Sequence, residues 1–182
     1  MGDRRPVMRL FVAVYPPIEV ARAMLEALRG LELPEIREAL AEQVHMTLQF
    51  VGDTDVRQLD EVKESVERAA AGLPAFELRP VGVVSLPARG EPRLVAMKTD
   101  APPELLEIQR RLAAKLARNP RDTQGFAPHL TLCRFTGGAK HVERVEQAVE
   151  MEAFRVETVC LMNSKLRPGG AEHVEVARVG LG

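Results

Sequence analysis

The chain contains no tryptophan, one tyrosine and two cysteines among its 182 residues. Because aromatic residues are so few, the core has to be built mainly from Leu, Val, Ala and Met, with six Phe. The two cysteines, Cys133 and Cys160, are too few for a disulfide framework and lack the spacing of a metal site. We therefore expect both to be reduced packing residues.

Long apolar runs are also missing. No stretch approaches the roughly 20 apolar residues that a membrane helix needs. The apolar run near the N-terminus, LFVAV, ends at a Pro pair and is too short for a signal peptide, so a buried first strand explains it better. These absences predict a cytoplasmic protein that has no membrane partner.

Neither sign of charge is in excess. The formal net charge of −1 provides no global field for binding nucleic acid, although most of the 25 basic residues are Arg. A near-neutral total favours recognition of a short segment or of a chain end. The composition, 46% apolar and 28% charged, is ordinary for a globular chain, and we expect residues 1–182 to form one compact domain, which could be built as two similar lobes.

Apolar periodicity predicts helices and strands in an irregular order. Helical spacing predicts helices over 18–31, 55–72, 101–117 and around 140–150. Alternation and turn signals predict strands over 9–17, 43–52, 75–87, 93–100 and 126–137, with a final hairpin across RPGG at 167–170. Several strands follow one another without a helix between them, so the sheets should be antiparallel or mixed. The predicted class is α+β.

The sequence His-x-Thr-Leu occurs twice, as HMTL at 45–48 and as HLTL at 129–132. Each copy lies in a predicted strand between two predicted helices, which suggests an internal duplication. Side chains two residues apart on a strand share one face, so His45 projects with Thr47 and His129 projects with Thr131. If the two lobes are pseudo-symmetric, these four side chains can converge on one groove.

Two imidazoles and two hydroxyls in one groove suit an in-line displacement at phosphorus. One imidazole can accept the proton of the nucleophile while the other protonates the leaving oxygen. The hydroxyls can donate hydrogen bonds to the non-bridging phosphate oxygens as charge shifts in the transition state. This division of labour requires no metal, and we expect no cofactor.

Other interpretations of the same residues are weaker. A zinc site with His45, His129 and Asp53 lacks His-x-His, His-Glu-x-x-His and a nearby Cys pair. A threonine nucleophile needs an adjacent base and an oxyanion hole that the sequence does not indicate. A catalytically silent RNA- or nucleotide-binding module would use the same groove, but binding alone needs no matched imidazoles. The other histidines, His141 and His173, have no companion pattern and are expected to face solvent.

The segments MRLFVAV, HMTLQFVGD, PHLTLCRF and SKLRPGGAEHVEV together resemble the two-histidine (2H) phosphoesterase superfamily. The chain is similar to the bacterial and archaeal branch, the LigT-like RNA 2′,3′-cyclic phosphodiesterases, also called 2′-5′ RNA ligases. The resemblance implies a bilobal α+β fold with pseudo-two-fold duplication. In it, two antiparallel sheets form a concave cleft, helices pack outside, and each sheet contributes one motif.

The resemblance also implies an activity. Members of the family open a 2′,3′-cyclic phosphate at an RNA end to a 2′-phosphomonoester without a metal. The implied partner is such an RNA end, as in tRNA halves, or a small cyclic nucleotide, and we expect the protein to be a monomer. Some members also join or cleave 2′-5′ linkages. Because the chain lacks a Gly-x-x-x-x-Gly-Lys loop for ATP, any ligation would be the reversal of transesterification.

Residue roles are carried over from the family onto the matching positions. The resemblance makes His45 and His129 the catalytic pair. His129 would be the base that activates water and His45 the acid that protonates the departing O3′, and the near-symmetry of the site is also compatible with the reverse. Thr47 and Thr131 would hold the phosphate oxygens.

Two further residues match the family, and one departs from it. Arg134 would bind phosphate, but plain alternation puts it on the face opposite His129, so a bulge or the strand end has to bring it into the cleft. Phe11 would contact a base or ribose, with core packing as the alternative. His173 stands where the closing hairpin of the family commonly carries an aromatic residue.

Overall fold

The structure is a computed structural model that describes residues 6–118, 125–137 and 142–182. Within these ranges the chain forms three α-helices, α1 (Ile18–Glu26), α2 (Leu59–Ala70) and α3 (Pro103–Leu116). The strands in the same ranges are β1 (Val7–Val14), β2 (Ile36–Glu38), β3 (Met46–Asp55), β4 (Phe76–Leu78), β5 (Pro80–Leu86), β6 (Leu94–Thr99), β7 (His129–Phe135), β8 (Glu146–Ala148), β9 (Phe154–Val156), β10 (Thr158–Arg167) and β11 (Gly170–Gly180).

The strands form two main sheets and one small sheet. The first main sheet has the order β11-β10-β1-β3, the second has the order β2-β7-β6-β5-β8, and β4 pairs with β9. All of these pairings are antiparallel. The predicted α+β class is therefore confirmed, and the two motif strands, β3 and β7, lie in different main sheets.

Three of the predicted helices are present within narrower bounds. In α3, the side chains of Leu105, Ile108 and Leu112 recur at helical spacing and are completely buried. Burial of each one contributes roughly 1.5–3 kcal/mol to folding. Since α3 packs against α2 and against β3, this burial fixes the position of the first motif strand. No helix in the described part of the chain is long and apolar enough to cross a membrane.

The fourth predicted helix, around 140–150, is wrong where the structure describes it, and residues 138–141 lie outside the described ranges. Glu146–Ala148 form β8, which pairs with residues 82–84 of β5 at the edge of the second sheet. The backbone of Val145 donates to Ser85 Oγ and accepts from the Ser85 N–H, both at 2.9 Å. Hydrogen bonds to a neighbouring strand outweigh the helical periodicity of so short a segment.

One continuous hydrophobic core spans both main sheets. Leu10 and Val12 enter it from the first sheet, and Val95 and Leu130 enter it from the second. A separate small cluster on the opposite face of the first sheet consists of Phe11, Ala13, Cys160 and Met162. Cys133 and Cys160 are buried free thiols, which confirms the predicted packing role.

Candidate active site

The two motif histidines are anchored in the same way. His45 Nδ1 lies 2.6 Å from the carbonyl oxygen of Gln43, and His129 Nδ1 lies 2.7 Å from the carbonyl oxygen of Ala127. A carbonyl oxygen only accepts hydrogen bonds, so each Nδ1 carries a proton. Nε2 is therefore the nitrogen of each ring that can gain or lose a proton.

His45 immediately precedes β3, His129 begins β7, and these two strands meet where the two sheets adjoin. β3 is an edge strand of the first sheet and approaches β7 of the second sheet within 8 Å between Cα atoms. His129 is close enough to act electrostatically on the His45 imidazole. Thr47 and Thr131, each two residues after a motif histidine, are both half-buried. The structure thus brings all four motif residues to one region of the cleft.

A β-bulge follows the second motif. β7 pairs with β6 through Thr131 and Cys133, and the pairing skips Leu132. Instead of alternating, Leu132 and Cys133 both turn into the core, with 0% and 1% of their surface exposed. Arg134 therefore returns to the face of Thr131 and His129, where it is exposed. Of the two expected routes for Arg134, a bulge or the strand end, the structure shows the bulge.

The first motif has a bulge at the equivalent position, which identifies a residue that the sequence interpretation missed. The pairing of β3 with β1 skips Leu48, and both Leu48 and Gln49 are buried. Phe50 then points into the cleft at the position equivalent to Arg134, and 66% of its surface is exposed. Aligning the two copies of the motif would have identified Phe50 as the residue equivalent to Arg134.

Lys98 is a second residue that the sequence interpretation missed. It lies directly opposite His129 in the pairing of β6 with β7, and it is exposed. Cross-strand partners share one face of a sheet, so the Lys98 ammonium group is on the same side as the His129 imidazole. The strand register alone places it there, and no sequence signal indicates that register.

The His45 imidazole packs against a cluster of other rings. The ring centroid of Phe11 lies 5.1 Å from that of His45 and 4.9 Å from that of His173, and Tyr15 lies 5.4 Å from His45. The expectation that His173 faces solvent is wrong, because β11 turns it toward the cleft and over Phe11. It is half-buried, and its Nδ1 is enclosed without a hydrogen-bond partner among the described residues. His141 lies outside the described residues.

Phe11 belongs to the support beneath this site. Only 4% of its surface is exposed. The rings of His45, Phe50 and His173 surround it, with centroids 4.9 to 6.4 Å away. An enclosed phenyl ring offers no free face to a base or ribose. The structure therefore favours the core-packing alternative for Phe11 over a contact with the substrate.

Burial controls the protonation of His45. Desolvation lowers the pKa of its imidazole from 6.5 to about 4, and the hydrogen bond to the Gln43 carbonyl partly opposes the shift. The charges of His173, Arg134 and His129 lower the pKa further. Burial also lowers the pKa of His173. At neutral pH and without a bound anion, His45 is therefore uncharged.

The arrangement can bind an anion and transfer protons on two sides of it. Each sheet provides one Nε2 atom and one threonine hydroxyl, and the second sheet adds the cationic side chains of Arg134 and Lys98. Among the described residues, no three or more His, Cys, Asp or Glu side chains are grouped so that they could hold a metal ion.

Two sheets that each contribute one His-x-Thr strand to a shared cleft define the two-histidine phosphoesterase class. A family model described as the 2′-5′ RNA ligase superfamily matches residues 16–167, and the chain belongs to that family. An RNA 2′,3′-cyclic phosphodiesterase of Thermus thermophilus is 29% identical over 182 residues, covering 96% of this chain and 90% of the relative.

Solved structures share the fold. A crystal structure of a Thermus thermophilus protein matches with a TM-score of 0.82 at 28% identity, covering 96% of this chain and 98% of that protein. Escherichia coli LigT, solved in complex with 3′-AMP, matches with a TM-score of 0.78 at 22% identity, covering 97% of this chain and 99% of LigT. At that identity the likeness to LigT concerns the fold alone.

Proposed function

We propose that the protein hydrolyses 2′,3′-cyclic phosphate ends of RNA to 2′-phosphomonoesters, by acid–base catalysis with His45 and His129. The observation that carries the proposal is the matched anchoring of the two imidazoles. Each has its Nδ1 held by a carbonyl oxygen two residues earlier and its Nε2 left for proton transfer. The Thermus thermophilus relative named RNA 2′,3′-cyclic phosphodiesterase supports the substrate class.

In the proposed reaction, His129 Nε2 takes a proton from a water molecule while the water oxygen attacks phosphorus. The bond between phosphorus and O3′ breaks, and His45 Nε2 gives its proton to O3′. The products are a 3′-hydroxyl and a 2′-phosphomonoester. The two histidines have then exchanged protonation states, and proton exchange with solvent restores them.

Other side chains of the cleft would bind the substrate. Thr47 and Thr131 would donate hydrogen bonds to the non-bridging oxygens of the reacting phosphate. The Arg134 guanidinium, which the bulge of β7 sets on the same face, would form a bidentate contact with that phosphate. Phe50 presents an exposed phenyl ring on which the terminal base could stack, a contact that tolerates any base.

The acid role of His45 requires a proton that the free protein does not hold, because burial lowers the pKa of this imidazole to about 4. A phosphate anion next to Nε2 favours the imidazolium form and raises that pKa. We infer that His45 takes up its proton together with the substrate. Calorimetric binding of a nucleoside 2′-phosphate in buffers of different ionisation enthalpy would measure this uptake.

The test is hydrolysis of a short RNA ending in a 2′,3′-cyclic phosphate, in excess EDTA, with the product mapped as the 2′- or 3′-phosphomonoester. His45→Ala and His129→Ala should each lose on the order of 100-fold or more in rate. Arg155→Gln, on β9 and outside the motif strands, is the control. Absence of turnover with binding retained would identify a binding module instead.

A further inference from the structure

Arg37 and Arg134 lie directly opposite each other on β2 and β7. The adjacent pair in this register, Ile36 and Phe135, packs against the hydrophobic core. Side chains alternate along a strand and cross-strand partners share a face, so both arginines project away from the core and into the cleft. Both are exposed.

This pairing of arginines is unfavourable in the free protein. Like charges directly opposite each other on antiparallel strands are destabilising. Among the described residues, neither Arg37 nor Arg134 has an ion pair that would offset the repulsion. An anion bound between or beside the two guanidinium groups would convert the repulsion into attraction.

The two arginines lie at the same level of the sheet but extend from different strands, Arg134 from β7 and Arg37 from the edge strand β2. The charge of Arg134 acts on the His45 imidazole. The guanidinium of Arg37 instead lies within 3.6 to 3.8 Å of the place where a Cβ on Gly170 would be. Gly170 begins β11 in the first sheet, so Arg37 reaches across to the hairpin of the opposite lobe.

We propose that Arg37 binds a second phosphate of the substrate, the one joined to the 5′ oxygen of the terminal nucleoside. Through this contact, the protein selects oligonucleotide ends over nucleoside 2′,3′-cyclic monophosphates. The proposal rests on the proposed function, because it takes Arg134 as the partner of the reacting phosphate. Arg37 is then the next cation along this face, and a guanidinium suits bidentate binding of phosphate without reading the sequence.

Lys98 is the other cation that could bind the second phosphate. It pairs with His129 at the start of β7. Arg37 pairs with Arg134, which lies five residues further along that strand (134 − 129). The two cations therefore flank the catalytic residues on opposite sides, and a single flanking phosphate can reach only one of them. Arg37 is favoured because its guanidinium lies beside Gly170 at the start of β11, so a phosphate bound to it would sit at the junction of the two sheets.

The experiment compares kcat/KM for uridine 2′,3′-cyclic monophosphate with kcat/KM for the dinucleotide UpU ending in a 2′,3′-cyclic phosphate. Arg37→Gln should reduce the dinucleotide-to-mononucleotide ratio about tenfold, the effect of losing one charged hydrogen-bonded contact. Arg37→Lys should reduce it less. Lys98→Gln tests the competing position, and Arg155→Gln serves as the matched control outside both motif strands.

A dinucleotide with an uncharged methylphosphonate in place of its internucleotide phosphate completes the design. Wild-type protein should treat it like the mononucleotide, and Arg37→Gln should not change its relative rate. The proposal is overturned if Arg37→Gln leaves the ratio unchanged, or if Lys98→Gln lowers the ratio instead. Binding of the matching 2′-phosphomonoesters provides the same comparison without turnover, so a failed phosphodiesterase assay and a failed Arg37 contact remain distinguishable.

Discussion

The imidazole of His173 stands at 82° to the imidazole of His45, with the two ring centroids 5.0 Å apart. Edge-to-face packing of this kind stabilises ring pairs beyond the area that they bury. The phenyl ring of Phe11 packs against both imidazoles. His173 therefore restricts the orientation of the imidazole that is proposed to protonate O3′.

His173→Phe is expected to raise the pKa of His45, since the charge of His173 is one of the causes that lower it. The pKa should stay below 6.5 because burial, the largest cause, persists. NMR titration of the His45 Cε1–H would measure the change. His173→Ala removes the packing ring and should lower kcat about tenfold. His173→Phe keeps a ring at this position and should retain the kcat of the wild type. An unchanged titration in both variants would contradict this coupling.

Stability should decrease as the pH falls from 6.5 to 4, because the folded state lowers the pKa of His45 between these values. Between these pH values the His45 imidazole binds a proton in the unfolded chain but stays uncharged in the folded protein. The free energy of unfolding should fall by up to about 3 kcal/mol, with no contribution from His45 above the window. Urea unfolding across this range should show a shallower dependence for His45→Asn. Equal slopes in the two proteins would show that His45 titrates normally.

Arg134→Gln is expected to lower kcat by about 100-fold, the usual effect of removing one charged donor to a developing negative charge. Arg134→Lys should recover part of this loss, because Lys keeps the charge but cannot make the bidentate contact. Thermal unfolding of Arg134→Gln should match or exceed that of the wild type, since Arg37 loses a like-charged neighbour. A loss confined to KM would indicate that Arg134 contributes only to binding.

Phe50→Ala should reduce kcat/KM for an RNA end by about tenfold, as expected for one lost base-stacking contact. Phe50→Tyr should preserve activity because it keeps the aromatic face. The melting temperature should change little in either variant, since 66% of the Phe50 surface is exposed. A large drop in melting temperature would instead assign Phe50 to packing against Phe11.

The class of fold and the position of the motifs could be predicted from the sequence, because both depend on local patterns. His45 and His129 share an identical spacing to Thr and Leu, and each lies in a segment whose pattern predicts a strand. The bulges were only partly predictable. The family resemblance of Arg134 called for a bulge or the strand end to bring this residue into the cleft. No residue pattern indicated that the pairing of each motif strand with its neighbour skips the Leu after Thr.

The remaining features depend on long-range register. Lys98 and Arg37 come to the cleft through pairings with β7, and His173 comes through the β10–β11 hairpin. None of these pairings leaves a local sequence signal. The helix expected around 140–150 failed for the same reason, since pairing with β5 forms β8 there. A single domain over residues 1–182, a monomeric state and a cytoplasmic location stay predictions.

A substrate with sulfur in place of O3′ tests most directly whether His129 takes the proton of water while His45 protonates the leaving group. A thiolate leaves without protonation because its conjugate acid has a pKa of about 8.5. With this substrate, His45→Ala should recover nearly the wild-type rate, whereas His129→Ala should remain impaired. Rescue of His129→Ala alone would reverse the two roles. Rescue of neither variant would contradict acid catalysis by this pair.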